Sequence, residues 1–166
     1  MKNINPEEIS KNPVNLIGKG WMLISAGDRK SFNAMTASWG GLGFMWNKPV
    51  AIAMVRTNRH TFKFLEEKEF ATLSFYDEKY RPQLKMFGST SGRDIDKTAA
   101  SGFTAQFTEN NAPYYKEASL VLECKKLYSQ MLEKQNFADT HIPELWYAKD
   151  DFHKMYYFEI VNAFEL

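Results

Sequence analysis

Val50-Ala51-Ile52-Ala53-Met54-Val55-Arg56-Thr57-Asn58-Arg59-His60-Thr61-Phe62-Lys63-Phe64-Leu65-Glu66-Glu67 decides how the chain is read. Its first part, Val50 to Val55, is apolar and β-prone, and its last part places Phe62, Leu65 and the stem of Glu66 near one face at helical spacing. A strand therefore runs directly into a helix, with Asn58 as the expected N-cap. Arg56, Thr57, Arg59 and Thr61 bring two guanidiniums and two hydroxyls to that junction. The unpaired N–H groups and the positive dipole end of a helix start also favour an anion there. A planar guanidinium binds two phosphate oxygens at once and keeps its charge near neutral pH. Two readings stay open: a phosphate site, or arginines that are solvated or paired with Glu66, Glu67 or Glu69, since surface ion pairs are common and weak.

Outward from this junction, further strands are expected. Trp21 to Ala26 and Phe32 to Ser38 flank the polar turn Gly27-Asp28-Arg29-Lys30-Ser31 and read as a hairpin. Pro49 to Val55 is a third strand, Glu69 to Tyr76 a fourth and Thr104 to Thr108 a fifth; Ala118 to Leu132 and His153 to Ala163 supply two more. Helices are expected after Arg59, around Tyr80 to Phe87 and around Asp94 to Ser101. Asn5-Pro6-Glu7-Glu8 resembles the start of a short helix that Asn12-Pro13 should end. Strands joined by short turns, with helices inserted rather than alternating, predict a mainly β fold with appended helices, an antiparallel barrel in preference to a doubly wound sheet. At 166 residues, and without a repeat or linker, residues 1–166 form one expected domain.

Lys and Arg number 21 against 20 Asp and Glu, so the net charge of +1 creates no global field toward nucleic acid or an anionic membrane. Any anion site must be local. The aromatic share of 15% fills a core and offers flat partners for a planar ligand. Cys124 is the only cysteine, which excludes an intrachain disulfide and suits a reducing compartment. It falls in the alternating run Ser119 to Cys124 and reads as a packing residue rather than a nucleophile. The N-terminus lacks the apolar region of a signal peptide, and no window approaches the ~18 consecutive apolar residues of a membrane span. The expectation is a cytoplasmic protein with neither membrane nor nucleic acid as partner.

Three more segments carry chemistry. Asn33-Ala34-Met35-Thr36-Ala37-Ser38-Trp39-Gly40-Gly41 has small side chains that let a flat ligand reach backbone amides, or else is an edge strand running into a flexible turn. Ser89-Thr90-Ser91-Gly92-Arg93-Asp94-Ile95-Asp96-Lys97 offers a hydroxyl-rich turn, with Asp94 placed to cap the helix after it. His153 opens the last strand. The three histidines are scattered and the single cysteine cannot complete a structural zinc site, so no metal is expected. Dinucleotide and Walker glycine loops and a Gly-x-Ser-x-Gly elbow are missing.

Together, from about Pro13 to Val161, these segments resemble the flavin reductase-like family of FMN-binding split-barrel proteins, which includes flavoredoxin. Asn33-Ala34-Met35-Thr36-Ala37-Ser38-Trp39 is similar to the family's N-x-M-T-A-S strand beside the flavin ring, and Arg56 to Thr61 to its phosphate segment. Ser91-Gly92-Arg93-Asp94-Ile95-Asp96-Lys97 resembles the S-G-x-D-x-D-K turn, and Leu122-Glu123-Cys124-Lys125 and Phe152 to Tyr156 resemble two late strands. The last is a variant of D-H-x-x-x-x-G in which Phe158 stands where the family often has Gly, near the cofactor or the dimer seam. The resemblance implies an FMN-binding split β-barrel that is a homodimer, takes hydride from NADH or NADPH and reduces free flavin or another small acceptor. It implies cofactor contacts from Asn33, Met35, Thr36, Ala37, Ser38, Trp39, Arg56, Thr57, Arg59, Thr61, Ser91, Gly92 and Lys97, and a catalytic role for His153, which as imidazolium would favour the anionic reduced flavin. The alternatives are an FMN-binding electron carrier without a nicotinamide site, and a related enzyme acting on nitro compounds or pyridoxamine phosphate.

Overall fold

Apolar alternation becomes strand almost wherever the sequence carries it. The structure, a computed structural model, describes residues 2–166. In chain order it contains β1 (Lys2–Ile4), α1 (Pro13–Gly18), β2 (Met22–Gly27), β3 (Phe32–Ala37), β4 (Gly40–Met45), β5 (Lys48–Arg56), α2 (His60–Glu67) and β6 (Phe70–Phe75). There follow α3 (Arg81–Ser89), α4 (Lys97–Ser101), β7 (Ala105–Phe107), β8 (Pro113–Tyr115), β9 (Leu120–Met131), α5 (His141–Trp146) and β10 (His153–Glu165). Every expected strand is present; β1, α1, β4, β8 and α5 are additional, and the helix expected from Asn5-Pro6 is a single 3-10 turn, Pro6–Glu8.

The main sheet runs β3-β2-β6-β9-β10-β5-β4, with β1 on the far end of β10, and each pairing is antiparallel. Its edges, β3 and β4, are consecutive in the chain and joined only by Ser38 and Trp39. Three residue steps reach at most about 11 Å, whereas seven strands laid flat span roughly 29 Å at the usual spacing. The sheet must curl until its edges meet. They meet without pairing, which makes a split barrel. β10 pairs with β5 along its first half and with β9 throughout, bending at irregularities between Tyr157 and Phe158 and between Ile160 and Asn162.

Two cores result. Met22, Ile24 and Ala26 of β2 point into the barrel with Leu73, Tyr156 and Phe158. Leu23 points outward and packs with Leu84 and Phe87 of α3 and with Phe103 and Tyr115. Both faces of β2 are covered, which is why Met22 to Ala26 reads as an almost unbroken apolar run. Cys124 is fully buried in the inner core, and burial pushes its thiol far above the usual range. A thiol reagent is expected to leave the native protein unmodified and to label one equivalent in denaturant; rapid labelling of the native state would show an accessible thiol.

Several local expectations are corrected. Asn12-Pro13 begins a helix: the Asn12 side chain accepts from Val14 N at 2.9 Å and Pro13 takes the first turn. α2 has Arg59, not Asn58, at its N-cap, with no side-chain cap bond. Asp96, not Asp94, caps α4 by accepting from Ala99 N at 3.1 Å. Gly40 and Gly41 open edge strand β4, where a Cβ at Gly40 would lie 2.1 Å from the Ile52 carbonyl oxygen. Phe158, expected near the cofactor or dimer seam, is 1% exposed in the inner core.

Candidate functional site

The cations of the site are organised by the exposed end of a helix. The last carbonyls of α3 have no partner within the helix. Met86 O accepts from Thr90 Oγ1 at 2.8 Å, Phe87 O from Lys97 Nζ at 2.9 Å and Gly88 O from Arg59 Nη2 at 2.8 Å. Lys97 Nζ also donates to Ala34 O at 3.1 Å, tying α3 to β3. Charge at a helix C-terminus suits both the dipole and the carbonyls. Burial, with some repulsion from Arg59, brings Lys97 down to about 8, so it remains mainly charged at neutral pH.

Around this end lies a cavity of about 320 Å³ lined by Asn33, Met35, Asn58, Arg59, His60, Thr61, Ser89, Thr90, Ser91, Arg93 and Lys97. Three adjacent hydroxyls and three cations converge there. His60 Nδ1 is buried without a hydrogen-bond partner among the described residues, and burial followed by repulsion from Lys63, Arg93 and Lys97 lowers its basicity. An orphaned polar atom beside cations and hydroxyls fits an oxygen-rich anion such as a phosphate ester.

A second cavity of about 400 Å³ adjoins it, sharing Met35 and Arg59. Met35, Thr36, Ala37, Ser38 and Trp39 contribute to its walls with Met54, Arg56, Gly88, Trp146 and His153. The Thr36 hydroxyl donates to Leu84 O at 2.5 Å, and a Cβ at Gly88 would come within 3.3 Å of Thr36 Cβ. Small side chains thus let β3 and α3 approach closely beside this cavity. The two cavities form one groove, polar and cationic at one end and aromatic at the other, with Arg59 at their join.

Not all expected residues share one place. Arg56 is in the aromatic cavity, opposite His153 in the β5–β10 register. Its guanidinium is paired with Asp151 and donates to Trp146 O at 3.0 Å. It is therefore apart from the hydroxyl-rich cavity, contrary to a joint role with Arg59. Thr57 is exposed in the preceding turn. Thr61 is buried and accepts from Asn33 Nδ2 at 2.7 Å. Ser91 faces the hydroxyl-rich cavity, but Gly92 borders a third one of about 630 Å³, and a Cβ there would meet Asn33 Oδ1 at 2.0 Å.

His153 is both a cavity residue and a buried one. Its Nδ1 lies 2.8 Å from the Tyr147 hydroxyl and its ring 4.9 Å from that of Trp39. Burial, reinforced by Arg56 and opposed by Asp151, brings it down to about 4. The expected imidazolium is therefore corrected: the ring is neutral at pH 7, and Arg56 is the cation of the aromatic cavity. Sequence reading missed Met54, Gly88, Trp146, Tyr147 and Asp151, and gave His60 and Arg93 no individual role. Among the described residues, no three His, Cys, Asp or Glu side chains gather as a metal site.

The flavin reductase like domain matches residues 14–163. The chain belongs to the flavin reductase-like family. This flavin reductase-like chain thereby falls in a group of flavin-binding oxidoreductases. No curated protein sequence matches it significantly. Among solved structures, flavoredoxin from Methanosarcina acetivorans superposes with a TM-score of 0.69 at 22% identity, over 89% of this chain and 68% of that one. Flavoredoxin of Desulfovibrio vulgaris (Miyazaki F) gives 0.69 and 22%, over 100% and 77%. An FMN-binding protein from Thermus thermophilus, with bound p-hydroxybenzaldehyde, gives 0.69 and 18%, over 100% and 79%. At these identities the likeness concerns the fold, here the split barrel.

Proposed function

We propose that the protein holds FMN in the groove and acts as an NAD(P)H-dependent flavin reductase. The observation that carries this is the adjacency of the two cavities: a hydroxyl-lined cationic pocket and an aromatic one share Met35 and Arg59 in their walls. Arg59, Lys97, Ser89, Thr90 and Ser91 would hold the phosphate, and Met35 to Trp39 would flank the ring. When bound, FMN would supply the capacity to accept hydride from NADH or NADPH and pass electrons to free flavin or another small acceptor. Arg56 keeps a positive charge beside the ring cavity, where Trp39 and Trp146, edge to face at 5.1 Å, limit water. Phe44, Trp46 and Tyr128 are about half exposed or more, and we assign them to the contact of a homodimer. Tyr156 and Phe158 are core residues and take no part in this surface.

Anaerobic mixing of the FMN-loaded protein with NADH or NADPH tests the activity. Loss of the flavin's visible absorbance is the expected result. Persistence of that absorbance with both donors, in protein that retains FMN, would favour an electron carrier; failure to bind FMN at micromolar concentration would remove both readings.

A further inference from the structure

Tyr147 has no part in the groove as described, yet its hydroxyl makes the one hydrogen bond of the His153 ring among the described residues. The side chain is 3% exposed. Its ring stacks on Phe152 at 4.6 Å and 21°, and the Arg56 guanidinium lies 5.3 Å from its centroid. Arg56 further pins the segment through Trp146 O and Asp151. The phenol is thus held by its contacts with Phe152 and Arg56.

A neutral imidazole carries one N–H, so the Tyr147–His153 bond can be made in two ways. If Nδ1–H donated to the phenol oxygen, the buried phenol proton would have no acceptor, since the Tyr147 hydroxyl has no other partner among the described residues. If the phenol donates to Nδ1, both groups are satisfied and the imidazole proton resides on Nε2. Nε2 has no protein partner among the described residues, and the ring lines the aromatic cavity. The charged groups facing the ring are Arg56 and Asp151; Arg56, with burial, disfavours a second proton and outweighs Asp151. Burial also raises Tyr147, which keeps the phenol protonated and able to donate.

We infer that Tyr147 is a positioning residue: by donating to Nδ1 it fixes His153 as the Nε2–H tautomer, so that a neutral N–H donor faces the aromatic cavity and recognises a carbonyl oxygen or ring nitrogen of a bound heteroaromatic ring. This rests on the FMN reading for the identity of the ring and on the geometry alone for the tautomer. A neutral donor keeps its hydrogen bond across the neutral pH range, where an ordinary histidine would change charge.

Long-range proton–nitrogen spectra of ¹⁵N-histidine-labelled protein, free of ligand at pH 7, read the tautomer directly. The wild type is expected to show His153 with a protonated Nε2 and a pyridine-like Nδ1, and Tyr147→Phe a mixture of tautomers. Added FMN should shift the Nε2–H resonance in the wild type, and Tyr147→Phe should lower the anaerobic reduction rate severalfold while leaving FMN bound. A protonated Nδ1 in the wild type, or an unchanged tautomer in Tyr147→Phe, overturns the inference; the wild-type spectrum decides if the variant does not fold. FMN that binds without moving the Nε2–H resonance overturns the recognition role. A fixed Nε2–H in protein that binds no FMN would instead count against the FMN reading.

Discussion

Arg59→Ala is expected to weaken FMN binding by about tenfold to a hundredfold, because each charge-assisted hydrogen bond contributes roughly 1.5–3 kcal/mol, and to leave riboflavin binding nearly unchanged. Arg59 stands where the two cavities join and is held by Gly88 O, so its fork is placed before any ligand arrives. Burial, with some repulsion from Arg56, lowers its affinity for its proton, while a guanidinium stays charged near neutral pH. An incoming phosphate dianion relieves that repulsion. Arg56→Ala supplies the contrast: its guanidinium belongs to the aromatic cavity and is claimed by Asp151, so FMN and riboflavin should lose affinity alike. Titration of both flavins against both variants by fluorescence quenching measures the four values. Equal losses of FMN and riboflavin in Arg59→Ala would mean that this arginine acts only by closing the end of α3.

The sequence made the strands legible because one-sided or two-sided burial writes itself as alternation or as an apolar run, and here most strands are long enough for that pattern to show. β4 escaped because Gly40, Gly41 and Gly43 carry no side chains to alternate, and the strand is identified only by its partner β5. The helix caps were displaced by one to two residues: before α4 both Asp94 and Asp96 could accept an orphan N–H, whereas α2 starts at Arg59 with no side-chain cap bond at all. Within the site, the contiguous parts were readable: Met35 to Trp39 in one strand and turn, Arg59 at a helix start, Ser91 in a loop. What could not be read were the residues delivered by folding alone. Trp146 lines the groove while Tyr147 and Asp151 stand behind it, all from a segment with no motif, and they contact the two residues opposite them, Arg56 and His153. Asp151 pairs with Arg56 in the aromatic cavity, and burial together with Arg56 keeps His153 neutral. Two side chains adjacent in register, Arg56 and His153, were assigned separately in the sequence because nothing in a linear string announces that β5 and β10 pair.

That same pairing explains the residue at which the chain departs from its family's pattern. Phe158 of β10 is opposite Ala51 of β5, and Tyr156 is opposite Ala53. The two rings stack at 5.8 Å and 15° inside the barrel, where Phe158 is 1% exposed and Tyr156 fully buried. Small residues on one strand make room for large ones on its neighbour, so the volume of the interior is kept constant across the pair. Phe158→Gly restores the residue the family often has but leaves its small partner Ala51 in place. The expected result is a loss of at least about 3–5 kcal/mol, the usual cost of truncating a buried phenylalanine to alanine, with glycine adding backbone freedom. Urea unfolding of the apoprotein measures it, and the double variant Phe158→Gly with Ala51→Leu should recover part of the loss by refilling the space. Flavin affinity of the folded fraction should stay close to that of the wild type, because the side chain lies in the barrel core and lines neither cavity. A stable Phe158→Gly protein with altered flavin binding would return this position to the pocket that the family pattern suggests for it.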